Sequence, residues 1–425
     1  MRDLVELSLA APNLRGNVPT EGNWVTSTTR VAGIYGANAS GKSTVLHALD
    51  FMTSAIQRSA TTWADSDTFP HHPYLLDKHY EEVPSLYEID VVVDDIRYTY
   101  GFESNASGIK NEWLYSYHSP WKRMLFDRTE SAIKFGRSLS GENQLISKLM
   151  GPRNLFLSVA SNSQHPTLRR IHHRITRHIR YARYTDSDRS NRVKWVQGLI
   201  KNESLWAQAQ ALIKLADLGI ANVKVEEVEL DEETKESTEK VIKALQENIG
   251  FPTREKGLDD FWAQLSRKIV FEHDVEGSEE PAALDLALES SGTVAWLSLG
   301  VPALYALKYG DTYLVDELDS SLHPRLTAAL VLMFKDPEIN RFGAQLIFTS
   351  HDVSLLGRML GEVLSPEEVW FIEKNNGVSE IYALHEFQVR KSDNFEKRYL
   401  EGRYGAVPMI RQDDLRKALL EGAGK

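Results

Sequence analysis

Residues 31–44 read VAGIYGANASGKST. The largely apolar run 31–35 predicts a buried strand, and the Gly-x4-Gly-Lys-Ser spacing that follows is typical of a loop that binds phosphate. Two glycines allow successive backbone N–H groups to point inward around a phosphate, because no Cβ stands in the way. This stretch therefore predicts a nucleotide-binding protein, and a glycine-rich turn that arises by chance is the alternative.

The residues of this loop have separate predicted roles. Lys42 brings a positive charge to the phosphates, and the hydroxyl of Ser43 can ligate Mg²⁺. Apolar residues at helical spacing over 45–56 predict a helix that Ser43 opens, and the N-terminus of a helix favours negative charge. The predicted nucleotide contacts are Gly36, Asn38, Ala39, Ser40, Gly41, Lys42, Ser43 and Thr44.

A second candidate segment lies far downstream, at residues 312–317, which read TYLVDE. It predicts a buried strand that ends in two adjacent carboxylates. Asp316 would bind the nucleotide-bound Mg²⁺, and Glu317 would polarise the water that attacks the γ-phosphate. For these six residues alone, an ordinary strand that runs into an acidic turn is the alternative.

Two further segments lie on either side of this strand in the sequence. Residues 289–293 read ESSGT, and residues 345–352 read QLIFTSHD, an apolar strand that ends near His351. Taken singly, the segment from Ser290 to Thr293 could be the N-cap of a helix, and His351 could be a hydrogen-bonded histidine at a strand end. The order of all four segments is the more specific signal.

This order resembles that of the ATP-binding-cassette (ABC) ATPase superfamily. In that superfamily two chains enclose two ATP molecules, and the Ser-x-Gly signature of one chain touches the γ-phosphate held by the other. The resemblance implies that Ser290 and Gly292 form the signature and that His351 senses the γ-phosphate. Ser291 and Thr293 stand where a Gly and a Gln are usual.

A narrower resemblance rests on residues 316–324, DELDSSLHP, whose Leu-His-Pro ending is similar to that of bacterial ATPases of the OLD and RecF-like groups. Transporter cassettes usually carry Leu-Asp there. Residues 369–374, VWFIEK, and 395–408, FEKRYLEGRYGAVP, look like stand-alone ATPases of the RloA and AbiL type, which are encoded beside restriction or abortive-infection loci. The implied fold is an α/β ABC-type P-loop ATPase core with an antiparallel β subdomain and an inserted helical lobe.

The resemblance also implies a mechanism. A homodimer would close on ATP and Mg²⁺ and convert ATP and water to ADP and phosphate, with His323 where the catalytic loops of the two chains meet. One element departs from the superfamily pattern. No convincing glutamine stands in the loop that normally links Mg²⁺ to the attached subdomain, and His71-His72-Pro73-Tyr74 is the best positional candidate.

The pattern of the chain predicts three parts. Residues 1–140 would form the N-terminal part of the core with the antiparallel β subdomain, since residues 87–103 alternate around Asp94-Asp95 as a hairpin and residues 113–126 are strand-like. Residues 141–280 would form the helical lobe. Residues 281–425 would supply the rest of the core, with the signature, the Asp-Glu strand and the histidine.

Composition and charge agree with this organisation. The chain has 425 residues, of which 42% are hydrophobic, so it can bury a large core. No stretch approaches the roughly 18 uninterrupted apolar residues of a membrane-spanning helix, and residues 1–6 lack a secretory pattern, so we expect a cytoplasmic protein. Zero cysteines exclude thiol catalysis, and a net charge of −11 argues against a surface that coats nucleic acid.

Residues 168–201 are strongly basic, and Arg170, Arg174 and Arg177 would share one face of a helix. This face could bind DNA or RNA. A solvated helix face that pairs with the acidic run 226–239 is one alternative, and a surface for a partner protein is another.

The same segment carries isoleucines and histidines. An opposite helical face would hold Ile171, Ile175 and Ile179. Metal binding is not expected, because no carboxylates lie near the three histidines in sequence. These histidines are His172, His173 and His178.

Two functional classes remain open from the sequence. The family resemblance implies a nucleotide-gated sensor or scaffold in anti-phage defence, which controls a separate nuclease or toxin, because no second catalytic centre is visible in this chain. The alternative is an ATPase that acts on DNA in repair or processing, of the RecF or SMC type. A transporter motor is third, since the large insertion and residues 322–324 disfavour it.

Overall fold

The computed structural model of the chain describes residues 1–11, 24–118, 121–199, 202–216, 219–227, 232, 236, 240, 266–278, 280–390, 393–408, 413, 416, 417, 419 and 420. Two compact units are present. The first contains Met1–Tyr181, Ala306–Leu318 and Val331–Lys425, and the second contains Ala182–Tyr305 and Asp319–Leu330.

Within the described residues, the strands are β1 Val31–Tyr35, β2 Ser85–Val93, β3 Ile96–Asn105, β4 Gly108–Tyr117, β5 Arg123–Thr129, β6 Ile133–Phe135, β7 Ile179–Ala182, β8 Ile220–Glu227, β9 Arg267–His273, β10 Ala282–Asp285, β11 Thr312–Val315, β12 Gln345–Thr349, β13 Val369–Asn375 and β14 Val378–Ala383. The α-helices are α1 Trp24–Ser27, α2 Lys42–Arg58, α3 Asn143–Ser147, α4 Phe156–Asn162, α5 Leu168–Arg177, α6 Asp186–Gly198, α7 Glu203–Ala216, α8 Ser291–Tyr309, α9 Pro324–Lys335 and α10 Phe395–Leu400. None of these helices is long and apolar enough to cross a membrane.

A six-stranded sheet in the order β14-β13-β1-β12-β11-β7 forms the centre of the first unit. Strand β1 runs parallel to both of its neighbours, β11 runs parallel to β12, and β14 is antiparallel to β13. All five residues of β1 are buried. Because parallel strands end at the same edge of a sheet, the residues that follow β1, β11 and β12 are brought close together. The predicted α/β fold class is confirmed.

The two faces of this sheet are covered by different parts of the chain. Ile34, Ile347 and Ile372 lie on one face in a cluster with Leu46 of α2. On the other face, the ring of Phe371 stacks on two tyrosines of the tail. Its ring centroid lies 5.1 Å from that of Tyr399 and 5.5 Å from that of Tyr404.

A five-stranded antiparallel sheet, β2-β3-β4-β5-β6, also belongs to the first unit. The predicted hairpin is confirmed, since β2 and β3 pair in register around Asp94 and Asp95. Both aspartates have positive φ angles, 51° and 60°, and Asp tolerates this conformation better than most residues. The antiparallel β subdomain predicted beside the nucleotide core is therefore present.

The C-terminal half of α2 packs under this antiparallel sheet. Ile56 of α2 shares a buried cluster with Phe102 of β3, Phe126 of β5 and Phe156 of α4. The cluster also contains Ile146 of α3, together with Ile171 and Ile175 of α5. Residues 141–181, which the sequence assigned to the helical lobe, therefore belong to the first unit, because their apolar side chains complete this core.

The second unit contains α6, α7 and a three-stranded antiparallel sheet in the order β10-β9-β8. The indole Nε1 of Trp296 in α8 donates a hydrogen bond to the carbonyl oxygen of Leu212 at 2.8 Å. Its core includes Val196, Trp206, Ile213, Phe271, Leu297 and Val301. The lobe that was expected to be helical over residues 141–280 therefore also contains strands, since β8 and β9 lie in that range. A register shift between Ile220 and Asn222 interrupts the start of β8, which limits the clean alternation of apolar and polar residues to 223–226.

Candidate functional site

The predicted phosphate-binding loop joins β1, in the middle of the central sheet, to α2. A Cβ at Gly36 would collide with the carbonyl oxygen of Ile372, so no side chain fits at this position. Gly41 has a φ of 112°, in the region that favours glycine. The two glycines of the motif are therefore required by the shape of the loop.

Lys42 and a serine of β14 hold the loop from two sides. The Nζ of Lys42 donates hydrogen bonds to the carbonyl oxygens of Gly36 at 2.8 Å and of Ala37 at 3.1 Å. The Oγ of Ser379 donates to the carbonyl oxygen of Ser40 at 2.7 Å. No sequence motif marks Ser379, because its contact joins residues 339 positions apart in the chain.

Asp316 lies at the end of β11, directly beside the start of α2. The Oγ of Ser43 donates a hydrogen bond to the Oδ1 of Asp316 at 2.8 Å. The structure thus brings together the two predicted Mg²⁺ ligands, which are 273 residues apart in the chain.

Thr349 at the end of β12 joins this pair, although no sequence motif assigns it a role. Its Oγ1 donates to the Oδ1 of Asp316 at 2.7 Å and accepts the N–H of Glu317 at 2.8 Å. Its position two residues before His351 was the available signal. A polar residue that ends a buried strand next to an acidic strand end is a candidate partner for those acids.

A cavity of about 560 Å³ lies over the loop. It is lined by residues 38–44, Glu317 and His351. Glu317 has a φ of 53°, which a residue with a side chain seldom adopts, and His351 is exposed. A positively charged side chain, a carboxylate and an imidazole therefore meet around one space at the N-terminus of a 17-residue helix.

The residues present fit the cofactor expected at such a loop. Ser43 and Asp316 offer hard oxygen donors, and Mg²⁺ is usually bound through one or two protein oxygens together with phosphate oxygens and water. A nucleotide-bound Mg²⁺ would supply charge neutralisation at the phosphates.

Ser290 and Gly292 lie in the second unit, at the start of α8. The Oγ of Ser290 accepts the N–H of Thr293 at 3.0 Å and lies 2.8 Å from the Oγ1 of Thr293. Ser290 is therefore a helix N-cap, as the structural alternative predicted. A Cβ at Gly292 would lie 3.3 Å from the carbonyl oxygen of Ser321. That Ser290 and Gly292 act across a dimer interface stays a prediction.

His323 has a comparable local role. Its Nδ1 accepts the N–H of Arg325 at 3.2 Å, and its carbonyl oxygen accepts the N–H of Leu326 at 2.8 Å. Pro324 is the first residue of α9, a position where its missing N–H costs nothing. The Leu-His-Pro ending thus begins a helix, and the position of His323 between two chains stays a prediction.

Residues 71–74 are not among the described residues that line the cavity. The ring of His72 lies 5.3 Å from the ring of Phe51, and the hydroxyl of Tyr74 donates to the carbonyl oxygen of Gly377 at 3.0 Å. The first contact packs the segment against the buried cluster that contains Phe51, and the second joins it to the turn between β13 and β14.

The basic segment after residue 167 is shorter as a helix than its charge pattern suggested. Helix α5 ends at Arg177, and Ile179 belongs to β7 instead of the predicted apolar face. Arg170 forms an ion pair with Asp94, and Arg174 donates to the carbonyl oxygen of Gly310 at 3.1 Å.

Two other predictions concern this segment. The residues of the acidic run 226–239 lie mostly outside the described part of the chain, and its first two residues end β8, where Glu227 is 3.5 Å from Arg267 of β9. His172 is buried, and its Nε2 lies 3.2 Å from the carbonyl oxygen of Ile56. Burial lowers the pKa of His172 to about 4.

Comparison with family models matches residues 31–357 to the family described as "AAA domain, putative AbiEii toxin, Type IV TA system". Among solved structures, the chain is similar to one described as the SmcHead bound to the C-winged helix domain of ScpA. The two chains share 12% identity with a TM-score of 0.36, over 83% of this chain and 89% of that chain. Comparison with curated proteins finds no match.

Proposed function

The chain belongs to the P-loop family described as "AAA domain, putative AbiEii toxin, Type IV TA system", and from this premise we propose that it is an ATPase that converts ATP and water to ADP and phosphate. One observation carries the proposal. Residues 38–44, Glu317 and His351 line a single cavity, and the Ser43–Asp316 pair lies beside it.

In this proposal each group has one task. Lys42 and the N-terminus of α2 bind the phosphates, and Ser43 and Asp316 hold Mg²⁺. Glu317 accepts the proton of the attacking water, and His351 contacts the γ-phosphate. The cavity supports this assignment because one carboxylate and one imidazole line the same space as the loop that carries Lys42.

We further propose that two chains close on ATP and that the signature residues Ser290 and Gly292 of each chain complete the site of the other. The support is the resemblance to the ABC superfamily, together with the position of both residues at the start of α8, Ser290 as its N-cap and Gly292 in its first turn. Closure would then depend on ATP and would end with hydrolysis.

The biological role that we propose is a cytoplasmic, nucleotide-gated sensor or scaffold in anti-phage defence that controls a separate nuclease or toxin. The family description names a putative toxin of a toxin–antitoxin system, which agrees with the resemblance to the RloA and AbiL type. An ATPase that acts on DNA is the second candidate. Arg169 and Arg177 of α5 favour it because both are exposed, whereas Arg170 and Arg174 are bonded within the chain.

ATP turnover by the purified chain tests the enzymatic proposal. Lys42→Ala should abolish ATP binding, whereas Glu317→Gln should bind ATP, turn over at least about 100-fold more slowly and accumulate the closed dimer. Glu130→Gln is the matched control, since Glu130 is exposed and pairs only with Lys110 among the described contacts. Unchanged turnover in Glu317→Gln would contradict its role as the base.

Mass spectrometry of proteins that co-purify with Glu317→Gln from native cells separates the two biological roles. A stoichiometric nuclease supports the defence role. Co-purified DNA together with repair proteins, and turnover that DNA stimulates, would support the second candidate instead.

A further inference from the structure

Thr349 occupies a central position in the first unit. It is the last residue of β12, which lies between β1 and β11 in the sheet, and its side chain is fully buried. Val315 of β11 pairs with Phe348 of β12, so the next residue of each strand, Asp316 and Thr349, also lie side by side.

The hydroxyl of Thr349 makes two hydrogen bonds at once. It donates its single proton to the Oδ1 of Asp316 at 2.7 Å and accepts the N–H of Glu317 at 2.8 Å. The backbone carbonyl of Thr349 accepts the N–H of Leu318 at 3.0 Å. Thr349 therefore holds three consecutive residues, and two of them are the acids of the candidate site.

The conformations of both acids must be fixed by neighbouring groups. Glu317 has a φ of 53°, and a residue with a side chain keeps this conformation only where its surroundings fix it. The Oδ1 of Asp316 accepts hydroxyl protons from Ser43 on one side and Thr349 on the other, which sets the direction of the carboxylate. One hydroxyl thus fixes the side chain of one acid and the backbone of the next.

We propose that Thr349 is a positioning residue of the nucleotide site, which couples the carboxylate of Asp316 that would hold Mg²⁺ to the backbone of Glu317 that would act as the base. This inference rests on the proposed ATPase function. Thr349 is not among the described residues that line the cavity, so we assign its hydroxyl no contact with the nucleotide. It sets the direction of one acid and the backbone conformation of the other, so its loss should affect Mg²⁺ use and turnover together and leave Mg²⁺-independent binding of nucleotide intact.

Thr349→Val and Thr349→Ser test this role. Valine keeps the branched shape that suits a buried strand but lacks the hydroxyl, and serine keeps the hydroxyl. Thr349→Val should lower kcat by about 10- to 100-fold, the usual effect of losing a group that orients a metal ligand. It should also lose about 10-fold or more of the gain in affinity for a fluorescent ATP analogue that Mg²⁺ gives the wild type. Thr349→Ser should restore both quantities to within about 3-fold of wild type.

Thr99→Val is the matched control. Thr99 is a buried strand threonine whose hydroxyl donates to an aspartate, Asp90, but it lies in the antiparallel sheet, away from the cavity lining. Its variant should keep the turnover and the Mg²⁺ dependence of the wild type. Thr349→Ala, measured in the same way, replaces Thr349→Val if the valine variant does not fold, as judged by thermal unfolding.

The outcomes are distinguishable. Wild-type Mg²⁺ dependence and turnover in Thr349→Val would overturn the inference, and so would a serine variant as impaired as the valine variant, since the hydroxyl would then have no role. A wild-type chain without turnover would count against the proposed function alone. The comparison of nucleotide affinity with and without Mg²⁺ would still decide the role of Thr349.

Discussion

Helices α2 and α8 begin in opposite ways. Gly41 precedes α2 with a φ of 112° and has no side chain that could cap the helix, whereas the hydroxyl of Ser290 accepts the N–H of Thr293 at the start of α8. The first N–H groups of any helix lack partners inside the helix. At α8 the chain supplies a partner itself. At α2 the residues that carry these groups line the cavity, so a phosphate is the partner they suit.

The largest expected effect is on ATP binding, and it follows if the loop before α2 loses its shape. Gly36→Ala introduces a Cβ that collides with the carbonyl oxygen of Ile372, and Ile372 is buried in the central sheet and cannot easily move. We expect ATP affinity to fall by at least about 100-fold, because the N–H groups of the loop would no longer converge on the phosphates.

Isothermal titration with ATP measures this loss. Gly198→Ala is the control, since Gly198 ends α6 and a Cβ there would meet nothing within 4 Å. Equal ATP affinity in Gly36→Ala and the wild type would show that the loop tolerates the collision and that its glycine is not required.

The difference between local and distant contacts explains what the sequence could predict. The phosphate-binding loop, the Asp-Glu pair and His351 each lie in a short segment whose spacing indicates a function. The contact between Ser379 and Ser40 joins residues 339 positions apart, and only the order of strands in the sheet creates it. No motif marks Thr349 either, because the residues that it contacts, Asp316 and Glu317, follow the neighbouring strand β11.

Residues 141–280 show a second limit to what the sequence could predict. Strand β8 pairs with β9 through a register shift between Ile220 and Asn222, so its apolar and polar residues alternate cleanly only from Val223 onward, which is too short a run to indicate a strand. In the same range, α3 to α5 have ordinary helical patterns, but only their packing against the antiparallel sheet reveals that they belong to the first unit.

The stability of the chain should depend on pH through a histidine that packs against the C-terminal half of α2. His172 of α5 lies 3.2 Å from the carbonyl oxygen of Ile56, and burial lowers its pKa to about 4 from 6.5. The neutral ring is therefore favoured in the folded chain. As the pH falls from about 6.5 towards 4, the unfolded chain takes up a proton on this histidine before the folded chain does. The free energy of unfolding should therefore fall over this range, by up to about 3 kcal/mol.

Denaturant unfolding between pH 7 and pH 4 tests this expectation. His172→Gln keeps a donor for the carbonyl oxygen of Ile56 but does not titrate in this range, so its free energy of unfolding should fall less steeply with pH than that of the wild type. Burial also lowers the pKa of His165, so some pH dependence should persist in the variant. Identical slopes would exclude His172 as a source of the pH dependence.

The self-capped start of α8 gives a smaller effect. Ser290→Ala leaves the N–H of Thr293 without its acceptor, and we expect the free energy of unfolding to fall by about 1 kcal/mol. Ser290→Asn keeps a capping oxygen and should recover most of this stability. Any loss of ATP turnover that remains in the asparagine variant would measure the proposed role of Ser290 in the signature, separately from its role as a cap.

The smallest expected effect concerns the C-terminus of a helix, that of α5. Arg174 and Arg177 lie in its last turn, where a positive charge complements the helix dipole. Arg177→Gln should lower the free energy of unfolding by about 0.5 kcal/mol at low salt, and less at high salt. Lys194→Gln, in the middle of α6, is the control and should have a weaker effect. Equal losses in both variants would mean that the helix end has no special role.

If Arg177→Gln also abolished a stimulation of ATP turnover by DNA, the exposed charge of α5 would bind nucleic acid in addition to stabilising the helix.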